Sequence, residues 1–177
     1  MQYTELFLRH QMLTKKLLDT QNKLSKLPDG YISKKKISGK TYPYLQKRVR
    51  GKMQSRYIKA EQLPKVRNGL STRSVLEGEL TSLSQEINTL EQAAAVLDAT
   101  LLRSMLQNKR SLRMDMLSVS ARQKSLSFSM AMLSLEGETP SADAKGNLQA
   151  WCEGKKSFLE GYQNVLQKYN LTDGEPL

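Results

Sequence analysis

The chain contains one cysteine, one histidine and one tryptophan in 177 residues. A lone Cys152 excludes an internal disulfide and a cysteine-based zinc site. A lone His10 excludes a histidine-rich metal site. It also leaves the serine-rich run Ser118, Ser120, Ser125, Ser127 and Ser129 without a second histidine to activate a nucleophile. No glycine-rich phosphate loop is present. No apolar run is long enough to span a bilayer, and Glu5, Arg9 and His10 interrupt the N-terminal segment MQYTELFLRHQ, so it does not read as a secretory signal. These absences predict a cytoplasmic protein with no cofactor, no metal and no membrane contact. The match of Asn170-Leu171-Thr172 to a glycosylation sequon has no meaning in that compartment. Aromatics are few, with three phenylalanines, and apolar residues make up 38%. That composition fits paired helices with narrow seams better than a thick sandwich. The length fits one domain or one elongated unit.

The most informative absence is local. Between Tyr31 and Ala60 there is no carboxylate, while ten lysines and arginines crowd the same stretch: Lys34, Lys35, Lys36, Lys40, Lys47, Arg48, Arg50, Lys52, Arg56 and Lys59. The whole chain carries a formal charge of +11, so this segment holds nearly all of it. Four tyrosines lie in it, at 31, 42, 44 and 57. The segment alternates like three short strands with turns at Ser38-Gly39 and Arg50-Gly51. Pro43 lacks the N–H that a central ladder needs, which predicts a bulge or an irregular sheet there.

Helical spacing frames this meander. Leu6, His10, Leu13, Leu17, Gln21 and Leu24 predict a helix over residues 4–27, stopped by Leu27-Pro28-Asp29-Gly30. A second helix starts near Ala60 or Glu61, with an interruption expected at Pro64 or Asn68-Gly69. Leu76, Leu80, Leu83, Ile87, Leu90, Ala94, Leu97 and Leu101 step by four and three as a coiled-coil seam. Leu112, Met116, Val119, Gln123, Leu126, Met130 and Leu133 repeat that spacing. The two runs predict a helical hairpin folded near Gln107-Asn108, with acidic Glu77, Glu79, Glu86 and Glu91 facing basic Arg103, Lys109, Arg110, Arg113, Arg122 and Lys124. Residues 136–146 read as a loop, residues 147–169 as a last helix, and 170–177 as frayed. The predicted fold is mainly α: a helical hairpin or coiled-coil bundle with an inserted three-stranded antiparallel β-meander. Its segments are 1–27, 28–60, 61–135 and 136–177. The Leu76–Leu101 seam could be covered within one chain or by a second copy in a homodimer.

A sheet rich in cations and tyrosines suits an anionic, flat-faced partner. Lysines neutralise phosphates and release counterions, arginines reach base edges, and tyrosines stack on bases. The candidate nucleic-acid-binding residues are Lys34, Lys35, Lys36, Lys40, Tyr42, Tyr44, Lys47, Arg48, Arg50, Lys52 and Arg56. The plainer reading is a solvated sheet edge, where lysines prevent aggregation. It accounts for a few lysines, and ten uncompensated cations repel one another. The methionines at 105, 114, 116, 130 and 132 read as core or partner-facing filler. His10 reads as a structural seam residue. Glu136 and Glu138 are a carboxylate pair with nothing acidic nearby to complete a Mg²⁺ site. No catalytic residue is assigned, although a metal-dependent nuclease assembled from distant segments remains open.

Two segments resemble known groups. Leu27-Pro28-Asp29-Gly30-Tyr31-Ile32, Gly39-Lys40-Thr41-Tyr42, Tyr44-Leu45-Gln46, Gly51-Lys52 and Ser55-Arg56-Tyr57-Ile58 resemble an uncharacterised group of short bacterial proteins. That group joins a Tyr-, Lys- and Arg-rich hairpin to a long helix and has an aromatic at the position of Pro43. Leu135-Glu136-Gly137, followed by a loop, Leu148, Trp151, Gly154 and a helix closing at Tyr169, is similar to small antitoxins that silence Fic-type AMP-transferring toxins. In that family a glutamate pairs with a toxin arginine and blocks the ATP γ-phosphate. The resemblance puts Glu136 and Gly137 in that role, with Met132 where the family prefers Ser or Thr.

Three functions follow as expectations. The first is a non-enzymatic binder of DNA, RNA or a nucleoprotein complex. Such a protein would act as a regulator or an anti-CRISPR-like inhibitor from a phage or mobile element, with a nuclease among its possible protein partners. The second is a Fic antitoxin acting through Glu136. The third is a coiled-coil adaptor without a nucleic-acid role.

Overall fold

The computed structural model describes residues 3–169. The fraying expected for 170–177, and the sequon at Asn170, lie outside the described residues. The chain is mainly α with an inserted β-meander. Its elements among the described residues are α1 (Thr4–Ser25), β1 (Tyr31–Ile37), β2 (Lys40–Val49), β3 (Lys52–Tyr57), α2 (Leu63–Leu97), α3 (Ala99–Asp115), α4 (Val119–Leu135), α5 (Ala142–Cys152) and α6 (Phe158–Tyr169). A short 3₁₀ turn, Ala60–Gln62, leads into α2. No helix among the described residues is long and apolar enough to cross a membrane. The chain divides into two units, Lys16–Thr89 and Met1–Lys15 with Leu90–Leu177.

The first unit contains the meander. Both turns are where the sequence puts them, and both place two consecutive residues at positive φ: Ser38 and Gly39, then Arg50 and Gly51. That geometry matches the right-handed twist of a hairpin and sets a two-residue loop. The register follows without slippage: Tyr31 pairs with Gln46 through to Ile37 with Lys40, and Tyr44 pairs with Tyr57 through to Val49 with Lys52.

Pro43 causes no bulge, contrary to expectation. A strand residue points its N–H and C=O toward the same neighbour. The Pro43 carbonyl accepts from the Ile58 N–H at 2.9 Å. Its missing donor therefore falls on the β3 side, one step past the last β2–β3 pair. On the β1 side Pro43 pairs with Lys34 in unbroken register.

Two glycines in this unit are fixed by space. Gly30 has φ +115°, and a Cβ there would lie 2.1 Å from the Gln46 carbonyl oxygen. At Gly69 a Cβ would lie 2.6 Å from Cγ of Pro28. The Pro28 ring rests on bare helix backbone, so Asn68-Gly69 does not interrupt α2. Pro64 sits in the first helical turn, where its missing N–H costs nothing. Leu17, Leu18, Leu45, Ile58, Leu83 and Ile87 are buried in this unit, while Gln21 is exposed and not on the seam. Lys16 pairs with Glu79 at 2.9 Å, and the Arg73 Nε donates to Glu77 at 2.8 Å.

In the second unit Ala94, Leu101 and Met105 form a buried cluster against Tyr3, Leu6, Phe7 and Leu102. The helical break falls at Asp98, not at Gln107-Asn108. Asp98 is extended, and its carboxylate accepts from the Thr100 and Leu101 N–H groups at 2.7 and 3.3 Å. An N-cap starts a new helix without any glycine or proline. Leu97 is consequently exposed instead of continuing the seam. A second unforeseen break follows, because Ser118 caps α4 by accepting from the Ala121 N–H at 3.2 Å. Residues 61–135 are thus three α-helices instead of two. The C-terminal region differs similarly. Ser141 caps α5, which starts inside the expected loop, and the expected last helix is split between α5 and α6. Ser157 and Glu160 close a reciprocal capping box at the start of α6, with the Ser157 N–H donating to Glu160 at 2.7 Å and Glu160 N–H donating to the Ser157 hydroxyl at 3.2 Å.

His10 is fully buried, and its Nε2 donates to Glu91 at 3.0 Å; Lys109 donates to the same oxygen at 2.6 Å. Burial pushes the Glu91 carboxyl up, but the hydrogen bonds and charges of His10 and Lys109 outweigh it and hold the group below its ordinary value. A depressed folded value means stability that is present above the unfolded glutamate value of about 4.3 and lost as pH falls through the lower folded one. Unfolding midpoints measured from pH 7 to pH 3 should show this loss. Glu91→Gln should cost about 1–3 kcal/mol at pH 7, and that cost should shrink as pH falls toward and through the lowered folded value. A constant cost across that range would show that the cluster is not ionic.

Candidate functional site

Strand alternation sorts the meander into two faces, and the register identifies their members. Even positions of β2 share a face with their partners on both sides. One face therefore carries all four tyrosines, Tyr31, Tyr42, Tyr44 and Tyr57, together with Lys35, Lys40, Arg48, Ile37 and Met53. None of these side chains is buried. The opposite face carries Lys34, Lys36, Lys47, Lys52 and Arg56 around the buried Leu45. Arg50 occupies the second turn, and Lys59 follows β3.

Each of the ten cations is exposed. None forms an ion pair with a carboxylate among the described residues. The tyrosine rings organise one another. Tyr57 meets Tyr42 and Tyr44 edge-on, with centroids 6.1 and 5.7 Å apart. The Lys35 ammonium lies 4.7 Å from the Tyr44 ring centroid, a cation–π contact that keeps its charge at the aromatic surface. Gln46 Nε2 donates to the Ser55 hydroxyl at 3.0 Å across β2 and β3.

On the opposite face, Lys47, Arg56 and Arg73 line a cleft of about 630 Å³ with Asp29, Pro28 and Leu45. Arg73 there is held by Glu77, and Asp29 lies 3.6 Å away. The sequence reading selected Tyr42 and Tyr44 but not Tyr31 and Tyr57. The parity of 31 against 46, and of 57 against 44, places them on the same face once the turns are known.

Other candidates resolve into structural roles. Arg122 does not pair with the α2 glutamates, as had been expected. Its guanidinium donates to the backbone carbonyls of Leu117 at 3.1 Å and Trp151 at 2.7 Å, and to that of Asp115. Glu77 and Glu79 instead pair with Arg73 and Lys16, and of the expected acid–base pairs Glu91 with Lys109 is formed.

Glu136 caps the C-terminal end of α4, and Gly137 takes φ +78°. The Gly137 N–H donates to Ser134 O at 3.3 Å and the Glu138 N–H to Leu133 O at 2.8 Å. The same two-bond stop recurs at Glu153-Gly154, where the Gly154 N–H donates to Trp151 O at 3.0 Å and the Lys155 N–H to Ala150 O at 2.8 Å. Both glutamates are exposed. Among the described residues no group of three His, Cys, Asp or Glu side chains converges, so Glu136 and Glu138 gain no third acid. Cys152 is buried, and burial pushes its thiol above the ordinary value, which leaves little thiolate for chemistry. An apolar cavity of about 290 Å³ lies between α5 and α6, lined by Trp151, Phe158, Tyr162, Val165 and Leu166.

The fold and its exposed surface define a mainly helical protein that displays a small, strongly cationic, tyrosine-faced sheet. Residues 4–68, which include α1, the whole meander and the start of α2, match a family described as a domain of unknown function (DUF6788). That match contains the entire Leu27–Ile58 segment. Comparison with curated proteins and with solved structures yields no match.

Proposed function

We propose that this chain is a non-enzymatic protein that binds nucleic acid, free or in a nucleoprotein complex, through the 31–60 meander, and acts there as a regulator or inhibitor. The observation that carries the reading is the set of ten exposed cations without a carboxylate partner among the described residues. Edge protection does not account for them, because Lys40, Lys47 and Arg48 lie on the central strand, which has no free edge. Their mutual repulsion costs stability in the free protein, and a polyanion relieves it while releasing counterions. Fluorescence anisotropy with labelled DNA and RNA oligonucleotides over a salt series tests the reading. Each neutralised phosphate adds about 0.7–0.9 to the fall of log K with log salt, so three or more contacts should give a slope of at least about 2. An affinity indifferent to salt overturns it.

One observation favours a second, compatible reading. Helix α4 has no fully buried side chain, and Phe128, Met132 and Leu135 form an exposed stripe at helical spacing, 69% and 82% exposed at its two ends. Glu136 continues the same stripe. An apolar helix face ending in a carboxylate suits a protein partner, which in the antitoxin reading is a Fic-type toxin. Glu136→Gly should release the AMP-transferring activity of a co-expressed toxin, and continued silencing rejects the role.

A further inference from the structure

We infer that the partner of the tyrosine face is a single strand with unpaired bases, lying along β2, and not a duplex. This rests on the nucleic-acid reading above and assigns the form of nucleic acid to one face of the sheet.

The two faces differ in what they offer. The face around Leu45 has cations but no aromatic, and Leu45 at its centre is buried. The tyrosine face has no buried residue and collects every tyrosine of the meander. Positions along it follow from the register. Lys40 lies next to the first turn, Lys35 is level with Tyr42, Arg48 lies toward the second turn, and the two turns are at opposite ends of β2. Tyr42, Tyr44, Tyr57 and Tyr31 occupy the levels between. The order along the central strand is therefore cation, aromatic patch, cation. Ten residues of β2 span roughly 34 Å, enough for several nucleotides of an extended strand. Phosphates at both ends would meet positive charge while bases lie on rings.

A duplex cannot use this arrangement. Its bases are stacked inside, and its grooves are read by hydrogen-bonding side chains at base edges. A platform of half-exposed rings contributes only where bases are free to leave their neighbours. An acidic protein surface would satisfy the cations but gives no reason for all four tyrosines to share one face.

The test compares labelled oligothymidine and oligouridine of about ten nucleotides with a duplex of the same length, using wild type, Tyr31→Leu/Tyr57→Leu and Lys40→Ala/Arg48→Ala. Wild type should prefer the single strand at least about tenfold. Stacking on one ring is worth roughly 5- to 150-fold, so the tyrosine double variant should lose at least about tenfold for single strands with its salt slope unchanged. The Lys40→Ala/Arg48→Ala variant should instead lower the salt slope, because it removes the cations at the two ends of the tyrosine face. Photo-crosslinking of wild type to halogenated oligouridine supplies a readout that does not depend on variant folding. Adducts at Tyr31, Tyr42, Tyr44 or Tyr57 support the inference, and adducts confined to the opposite face overturn it. Equal affinity for duplex and single strand, untouched by the tyrosine changes, overturns the single-strand assignment and leaves nucleic-acid binding standing. Failure to bind any oligonucleotide at low salt overturns both.

Discussion

Replacing Lys35, Lys40, Arg48 and Arg50 together by glutamine should abolish most nucleic-acid affinity while leaving the fold as stable as before or more so. All four side chains are exposed and none has an ion-pair partner among the described carboxylates, so no native contact of that kind is lost. Relief of repulsion acts in the stabilising direction. Binding moves the other way. At 0.1 M salt each phosphate contact with a single strand is worth about fivefold in counterion release, and four contacts together are worth several hundred-fold. The slope of log K against log salt should shrink by about 3 for the quadruple variant. The two measurements are an anisotropy salt series and a thermal melt. Lost binding with an unchanged or raised melting temperature identifies a contact surface. Lost binding with a lowered melting temperature would mean that the cations support the sheet itself, and an unchanged affinity would remove the meander from the function altogether.

The meander was legible in the sequence because two-residue turns fix everything between them. Ser38-Gly39 and Arg50-Gly51 set the hairpin lengths, and alternation then assigns each side chain to a face. What hid there was the effect of Pro43, since its harmless placement depends on which neighbour its carbonyl faces. The helical breaks were less legible for a different reason. Asp98, Ser118 and Ser141 each begin a new helix through a single side-chain cap, and the leucine spacing runs through the first two of these points without a change of phase. An aspartate or serine in a long amphipathic run is a weak signal until its acceptor is seen beside the amide donors of the next turn. The glycine stops at 137 and 154 are of the same kind: the antitoxin resemblance draws on both glycines, and both close the same backbone motif. The chemistry of Arg122 could not be read from sequence at all, because its acceptors are carbonyls contributed by residues 115, 117 and 151.

Arg122→Ala is expected to be the most destabilising single change in the C-terminal half of the chain. The end of α3 leaves backbone carbonyls without helical partners, and the Arg122 guanidinium serves those of Asp115 and Leu117. It also takes the Trp151 carbonyl at 2.7 Å, near the end of α5, and lies 5.5 Å from the Trp151 ring centroid. Asp115 completes the knot. Its carboxylate accepts from Trp151 Nε1 at 3.0 Å and from the Phe158 N–H at 2.9 Å, which ties α3 to the end of α5 and the start of α6. Trp151 and Phe158 meet edge-on, with centroids 5.3 Å apart. Removing the guanidinium strands three carbonyls in a partly buried setting, at a cost of about 3–5 kcal/mol. Arg122→Lys should recover less than half of that, because an ammonium cannot present a planar fork to three acceptors in different directions. The single tryptophan makes the result readable: Trp151 is 2% exposed, and its emission should shift to the red as α5 and α6 loosen. Hydrogen exchange should rise in those helices and stay unchanged in the meander, whose hydrogen bonds close within the sheet. An Arg122→Ala chain with native emission and an unchanged unfolding midpoint would show that the knot is a surface contact that water replaces at no cost.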